Sequence, residues 1–252
     1  EEARLKIDST KNVTEITSVW KFEQGRAQYF AVDNLRRAAA VFLKYDGIDV
    51  KGSSGVEVDI ELRNTTGLAY DPPEYRILRN YGPIYVLAGI LRQPSEQVII
   101  TDLGRKLATD QIDSDEYFRE LSNILVFPSS AFSRSYKKYG DDTPRVNPIR
   151  LLLRCLVDFR RRETTFERQG ISVDWIYSRL SYTFLTGYEE AGFDYYSLDY
   201  VEPESIQRKE VKTKKRQIRE FLQFISQASF LKFYNSTLYL DIEGQEDIDD
   251  IQ

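Results

Sequence analysis

Apolar positions along this chain recur with two periods, and the switches between them mark out its elements. The run 33–45 is rich in Ala and Leu, good helix formers, and predicts a helix over Asp33–Tyr45 that Gly47 stops. Val56, Val58, Ile60 and Leu62 then alternate with polar residues inside 52–67, the period of a strand between a loop and a turn. Asp71-Pro72-Pro73 opens the next helix, because Pro is tolerated in a first turn, and that helix closes at Tyr81-Gly82. A short apolar segment, a polar turn, the β-branched run Val98-Ile99-Ile100 and a new helix through Ala108 follow. Helix, strand, turn, strand and helix in that order is how a winged helix-turn-helix closes.

The second half ends on a similar layout. Residues 113–127 predict an acid-led amphipathic helix that Pro128 terminates. The polar segment 129–148 reads as a connection, and Asn147-Pro148 supplies an N-cap and a first helical residue for the run Ile149–Phe159. Ser172 caps a helix with Trp175, Ile176 and Leu180 on its apolar stripe. The stretch 186–206 is acidic, rich in Tyr and irregular, which suits an insertion. A helix with Ile218, Phe221, Leu222 and Ile225 on one face comes next. Strands Phe230–Tyr234 and Thr237–Ile242 then flank the turn Asn235-Ser236. The expectation is an α+β, mostly helical chain with two winged helix-turn-helix subdomains. They occupy 1–128 and 149–242, joined by 129–148, with an acidic tail or linker over 243–252.

Composition narrows the chemistry. The chain of 252 residues has no His, which removes imidazole metal sites and His-based acid–base catalysis. Its one cysteine, Cys155, cannot form an internal disulfide, and its apolar run LLLRCLV suits a buried inert thiol. Met is absent even at position 1, as in a processed chain, a sequence with residues omitted or a fragment, and a fragment is expected. No apolar run approaches the ~20 residues that span a bilayer, and the first residues lack the apolar core of a signal peptide, so a cytoplasmic protein is expected. Net charge is -5, but residues 241–252 hold six acids and no base. The rest has 35 basic and 34 acidic residues, and a neutral body can still carry a basic face.

Four basic stretches are candidates for nucleic-acid contact. Arg76 and Asn80 fall on one side of the predicted helix 74–81 with Arg79 adjacent. Arg suits guanine as Asn suits adenine in the major groove, and an exposed helix with ordinary solvating charges is the other reading. Lys21, Arg26 and Gln28 flank Gly25 in an arm or loop that could touch backbone or simply be solvated. Lys212, Lys214, Lys215, Arg216 and Arg219 occur with no acid between them at a helix start, where a cationic run can clamp phosphates or form a solvated helix face; the neighbouring helix–hairpin unit favours contact. Arg134, Lys137 and Lys138, with Ser133 and Tyr136, lie on the connection and could track a backbone. A fifth cluster, Arg160, Arg161 and Arg162, sits at a helix C-terminus, where cations are favoured for structural reasons.

Catalysis has one weak candidate. Glu57, Asp59 and Glu61 alternate along the predicted strand, but the following triplet Glu61-Leu62-Arg63 lacks the lysine of an acid-x-Lys metal nuclease pattern. Acids on the solvent side of a two-faced strand explain them more simply. Phosphate-binding loops and dinucleotide fingerprints are absent from the sequence.

The pieces YRILRNYG, QVIITDLGRKLA, FRELSNILVFPSS, RVNPIRLLLRCL and KKRQIREFLQFISQASFLKFY run in that order from about residue 70 to the end. In them the chain resembles the DNA-recognition region of type IIS restriction endonucleases and related nicking endonucleases. The resemblance implies two winged-helix subdomains that bind double-stranded DNA in a bacterial or archaeal cytoplasm. It matches Arg76, Arg79, Asn80 and Tyr81 to the first subdomain's reading helix and Lys215 to Phe224 to the second's. The family's magnesium-dependent nuclease motif has no counterpart in this chain, so a recognition fragment without its own cofactor is expected, with Mg2+ and cleavage belonging to a separate domain. The Tyr-rich stretch 186–206 departs from the family pattern and puts the second subdomain's contacts in question. A homodimer of the full-length protein through either hairpin remains open, as does a winged-helix regulator or protein-interaction module without nuclease activity.

Overall fold

A computed structural model describes residues 4–5, 20, 22, 27–50, 53–70, 77–92, 97–127, 129–131, 145–180, 184–185, 193–195, 198 and 208–241. The chain is α+β and mostly helical. It divides into two compact units. The amino-proximal unit comprises Gly25–Leu125 and Ser129–Lys138, and the carboxy-proximal unit comprises Tyr139–Gln252 with Glu1–Gln24 and Val126–Pro128. The first 24 residues therefore join the second half of the chain, whereas the sequence pattern groups them with the first.

In the amino-proximal unit a single turn of 3-10 helix, Ala27–Phe30, leads into α1 (Val32–Lys44), α2 (Ser53–Thr66), α3 (Ile77–Leu87), α4 (Asp102–Ala108) and α5 (Ser114–Ile124). α1 packs on α2 and α4, and α4 on α5. The helix starts follow from local chemistry. The Thr101 hydroxyl accepts from Gly104 N at 2.8 Å. Asp113 and Glu116 form a reciprocal capping box at the start of α5.

Two segments differ from the sequence expectation. Residues 53–66 form a helix, not a strand. Gly55, Val58, Leu62 and Thr66 are buried, spaced three and four apart, while Val56 and Ile60 are exposed. Val58 and Leu62 satisfy both the strand and the helix period, and burial selects the helix. Gly55 lets α2 lie against the preceding backbone, since a Cβ there would sit 1.9 Å from Val50 O. Likewise α3 does not stop at Tyr81-Gly82. It continues through Pro83 to Leu87 because Ile84, Tyr85 and Leu87 are buried beyond it, and that burial outweighs the hydrogen bond Pro83 cannot donate. The apolar segment assigned to a strand is the second half of this helix.

Tyrosines hold α3 in place. Tyr29, Tyr70 and Tyr81 pack ring on ring with centroids 4.9–5.4 Å apart. The Tyr29 hydroxyl donates to Ala69 O, and the Tyr70 and Tyr85 hydroxyls share a hydrogen bond of 2.7 Å. Desolvation and the bond to Tyr81 push the Tyr29 phenol up to about 12, so Tyr29 is neutral at physiological pH. After α3, isolated bridges pair Leu91 with Ile100 and Asp49 with Gln97, both antiparallel. Asp46 ties this region to α1: one oxygen accepts from Ile100 N at 3.0 Å, and the other is ion-paired with Arg105 on α4.

The Ile100 amide, helped by the Arg105 guanidinium, holds the Asp46 carboxyl below its ordinary value. A depressed folded-state pKa contributes stability at neutral pH that is lost as pH falls through it. Asp46→Asn is therefore expected to lower the thermal midpoint at pH 7. The gap from wild type should begin to narrow below about pH 4, the ordinary carboxylate range, and should close in stronger acid. Melting curves between pH 7 and pH 2 check this, and a gap that stays constant with pH contradicts it.

The carboxy-proximal unit contains α6 (Pro148–Arg162), α7 (Val173–Arg179) and α8 (Arg208–Ile225). Its strands are β1 (Arg4–Leu5), β2 (Ile171–Ser172), β3 (Phe184–Leu185), β4 (Leu231–Tyr234) and β5 (Thr237–Leu240). The caps read from sequence form: Asn147 accepts from Arg150 N at 3.1 Å, with Pro148 as the first helical residue, and Ser172 accepts from Trp175 N at 3.1 Å. β1 pairs antiparallel with β3, and a separate antiparallel sheet has the order β2-β5-β4. In both units a helix and a short extended segment precede two more helices and a hairpin-like pair. In both, the extended segment pairs with the second hairpin arm, as Asp49 with Gln97 and β2 with β5.

Candidate nucleic-acid interface

α8 is fixed by its inner face. Phe221 lies 5.9 Å from Trp20, 5.3 Å from Phe22 and 5.5 Å from Phe127 between ring centroids, and Phe224 stacks on Phe22. Ile218, Leu222 and Ile225 complete the buried side. A helix held this way presents its opposite face as a rigid row. Lys212, Arg216, Arg219 and Gln223 are all exposed, at steps of four, three and four residues. Those steps bring them onto one face over about 16 Å. Among the described residues none of these three cations has an ion pair.

The five basic residues of this stretch thus separate into three groups. Lys212, Arg216 and Arg219 form the outward row. Lys215 flanks the row, with Nζ 2.7 Å from Asp174 Oδ1 on α7 and 5.3 Å from the Tyr177 ring centroid. Lys214 is turned inward and is only 9% exposed. Its burial takes it off the solvent face, against its inclusion as a contact residue. The physical reason is helical phase: Lys214 shares the inner side with Phe221 and Ile225.

The β4–β5 hairpin carries further candidates that the sequence reading missed. Its two-residue turn has Asn235 and Ser236 at φ 48 and 60, the left-handed pair that matches the twist of a tight hairpin. The register sets Lys232 opposite Tyr239 and Tyr234 opposite Thr237, all on one face of the sheet. Lys232 is exposed, and Tyr234 is 61% exposed near the tip. Phe166 stacks on Tyr239 on that side, centroids 4.5 Å apart and planes within 12°. Alternation along β4 was the available signal for Lys232 and Tyr234. Nothing local in the sequence pairs Lys215 with Asp174.

Tyr81 is 5% exposed and belongs to the tyrosine cluster, so it cannot touch a ligand at the surface, a correction to its assignment in the reading helix. Asn80, like Leu78 and Pro83, is half-buried on α3, and the Arg79 backbone lies in the same helix. Gln28 is exposed, and its carbonyl accepts from Asn34 Nδ2 at 2.9 Å and from Ala31 N. Lys21, Arg26, Arg76, Arg134, Lys137 and Lys138 lie outside the described residues. Arg162, set aside as structural, bonds Asp158 and pairs with Asp194, each at 2.9 Å.

The carboxylates Glu57, Asp59 and Glu61 sit on α2, with no strand edge to share. Asp59 accepts from Ile77 N at 3.0 Å and so caps α3 from a distance, while Glu61 is held by Lys44 Nζ and the Tyr45 hydroxyl, each at 2.7 Å. Among the described residues no cluster of three or more His, Cys, Asp or Glu could hold a metal ion. Cys155 is buried, and burial beside Asp158 pushes its thiol well above the ordinary value, which makes it inert as a nucleophile. No helix among the described residues is long and apolar enough to cross a membrane. No family model and no curated protein matches the chain.

Proposed function

We propose that this chain binds double-stranded DNA through the outer face of α8 and the β4–β5 hairpin, as the recognition part of a restriction endonuclease of the type IIS kind. The observation that carries this is the row Lys212, Arg216, Arg219 and Gln223, exposed and without ion pairs among the described residues, on a helix locked from behind. Cations in such a row meet phosphates, and an amide or guanidinium can reach base edges.

The order of pairing supports a winged-helix reading. Helix, strand, two helices and a hairpin whose second arm pairs with the first strand is the winged-helix order. The order β2, α7, α8, β4, β5 with β5 paired to β2 supports it in the carboxy-proximal unit, and the isolated bridges Asp49–Gln97 and Leu91–Ile100 are compatible with it in the other. In the carboxy-proximal unit this makes α8 the recognition helix and β4–β5 the wing. Cleavage would reside in a separate nuclease domain holding Mg2+, as the resemblance implies. A second reading, a winged-helix regulator or assembly module, draws support from α3, whose half-exposed positions among the described residues include the apolar Leu78, Pro83 and Val86.

The test is a binding titration of the protein against a pool of random duplexes at several salt concentrations, with sequencing of the bound fraction. The expected result is an enriched site and an affinity falling with salt on a log–log slope of about -3 or steeper, three phosphates at about 0.9 each. Affinity insensitive to salt, or a bound pool with no enriched sequence, rejects the assignment.

A further inference from the structure

We infer that Asp174 is a specificity-determining residue: its carboxylate occupies Lys215 in place of a DNA phosphate and so suppresses sequence-independent binding. This rests on the proposal that α8 meets a duplex, and it names a control on that same surface.

The geometry is specific to one cation of the row. Lys215 lies next to Arg216 and four residues before Arg219, which places it at the edge of the outward face on the side of α7. It is the only one of the four cations Lys212, Lys215, Arg216 and Arg219 with an ion pair among the described residues. Its side chain is 35% exposed, and that of Asp174 is 76% exposed. The Tyr177 ring adds a second hold on the ammonium from the same helix. Asp174 stands in the first turn of α7 next to the Ser172 cap, so its backbone is fixed while its carboxylate faces water.

An exposed pair of this kind is weak and exchangeable. A phosphate oxygen offers Lys215 the same charge and hydrogen-bond geometry as the Asp174 carboxylate, and solvent access lets one replace the other without repacking the core. The outcome depends on how closely the backbone approaches. In sequence-independent binding only phosphates are contacted and the helix is not fixed in register, so Asp174 retains Lys215 and its own charge repels the duplex. In site-specific binding, base contacts fix the register and press a phosphate against the flank of α8. Lys215 then transfers to it.

The test compares wild type, Asp174→Asn, Lys215→Gln and the double variant, each titrated against random duplex and against the selected site over a range of salt. For Asp174→Asn on random duplex, affinity should rise about five-fold near 0.15 M salt, and the log–log slope should steepen by about 0.9, one further phosphate. On the selected site the slope should stay at the wild-type value, so the ratio of specific to random affinity falls. In the Lys215→Gln background Asp174→Asn should leave the slope unchanged. An unchanged slope on random duplex in the single variant overturns the inference while leaving DNA binding intact. Weaker binding with a shallower slope also overturns it, because the pair would then be a brace between α7 and α8. A wild-type protein that binds no duplex instead rejects the underlying proposal, and this inference with it.

Discussion

Replacing Lys212, Arg216 and Arg219 together by Gln should weaken duplex binding about a hundredfold near 0.15 M salt and flatten its salt dependence. Each phosphate contact releases about 0.9 counterion, which makes one contact worth roughly five-fold at that salt, and three act together. The same substitutions should leave the fold intact. All three side chains are exposed and have no ion pair among the described residues, so removing their charge strands no partner there. Surface changes of this type move stability by about 0.5 kcal/mol or less. Fluorescence anisotropy with a labelled duplex, paired with a thermal melt, reads both quantities. Binding at the wild-type level in the triple variant would remove α8 from the interface. A loss of binding accompanied by a lower melting point would show instead that the row is structural. Lys214 is the internal contrast: it belongs to the same basic run but is buried, so its replacement should act on stability.

That contrast also marks where the sequence is legible. Caps were readable because they depend on residues within three positions of one another, as with Asn147 and Arg150 or Ser172 and Trp175. The apolar face of α8 was readable because Ile218, Phe221, Leu222 and Ile225 repeat with helical spacing. The outward row at 212, 216, 219 and 223 follows from the same period, but a count of basic residues mixes it with Lys214 and Lys215. α2 was misread because Val56, Val58, Ile60 and Leu62 fit a strand, and only Gly55 against Val50 and the burial of Thr66 separate the two periods. α3 was cut short because Gly82 and Pro83 oppose a helix locally, while the tyrosine packing that favours one comes from Tyr29 and Tyr70, far away in sequence. The basic residue types of the proposed interface were therefore visible in the sequence. Their division into outward, paired and buried groups depends on long-range packing that no local spacing records.

The same long-range packing leads to the largest expected effect on stability, that of Phe221→Ala. Phe221 is 1% exposed and touches three other rings, those of Trp20, Phe22 and Phe127. Truncation removes its buried surface and leaves a void lined by side chains from three separate chain segments, which cannot all collapse inward together. Replacement of a buried Phe by Ala costs about 3–5 kcal/mol, a large part of the total stability of an ordinary domain. Urea unfolding followed by Trp fluorescence should show this loss, with Trp20, whose ring borders the site, reporting alongside Trp175. Phe221→Leu keeps most of the volume and should cost about 1–2 kcal/mol, so the two variants together separate void formation from the loss of an aromatic contact. DNA binding by Phe221→Ala should fall with the folded fraction and recover where urea is absent and temperature is low, since the outward cations are untouched. A loss below about 1 kcal/mol for Phe221→Ala would mean that Trp20 and Phe22 do not seat α8, and the rigid presentation of Lys212, Arg216 and Arg219 would lose its physical basis.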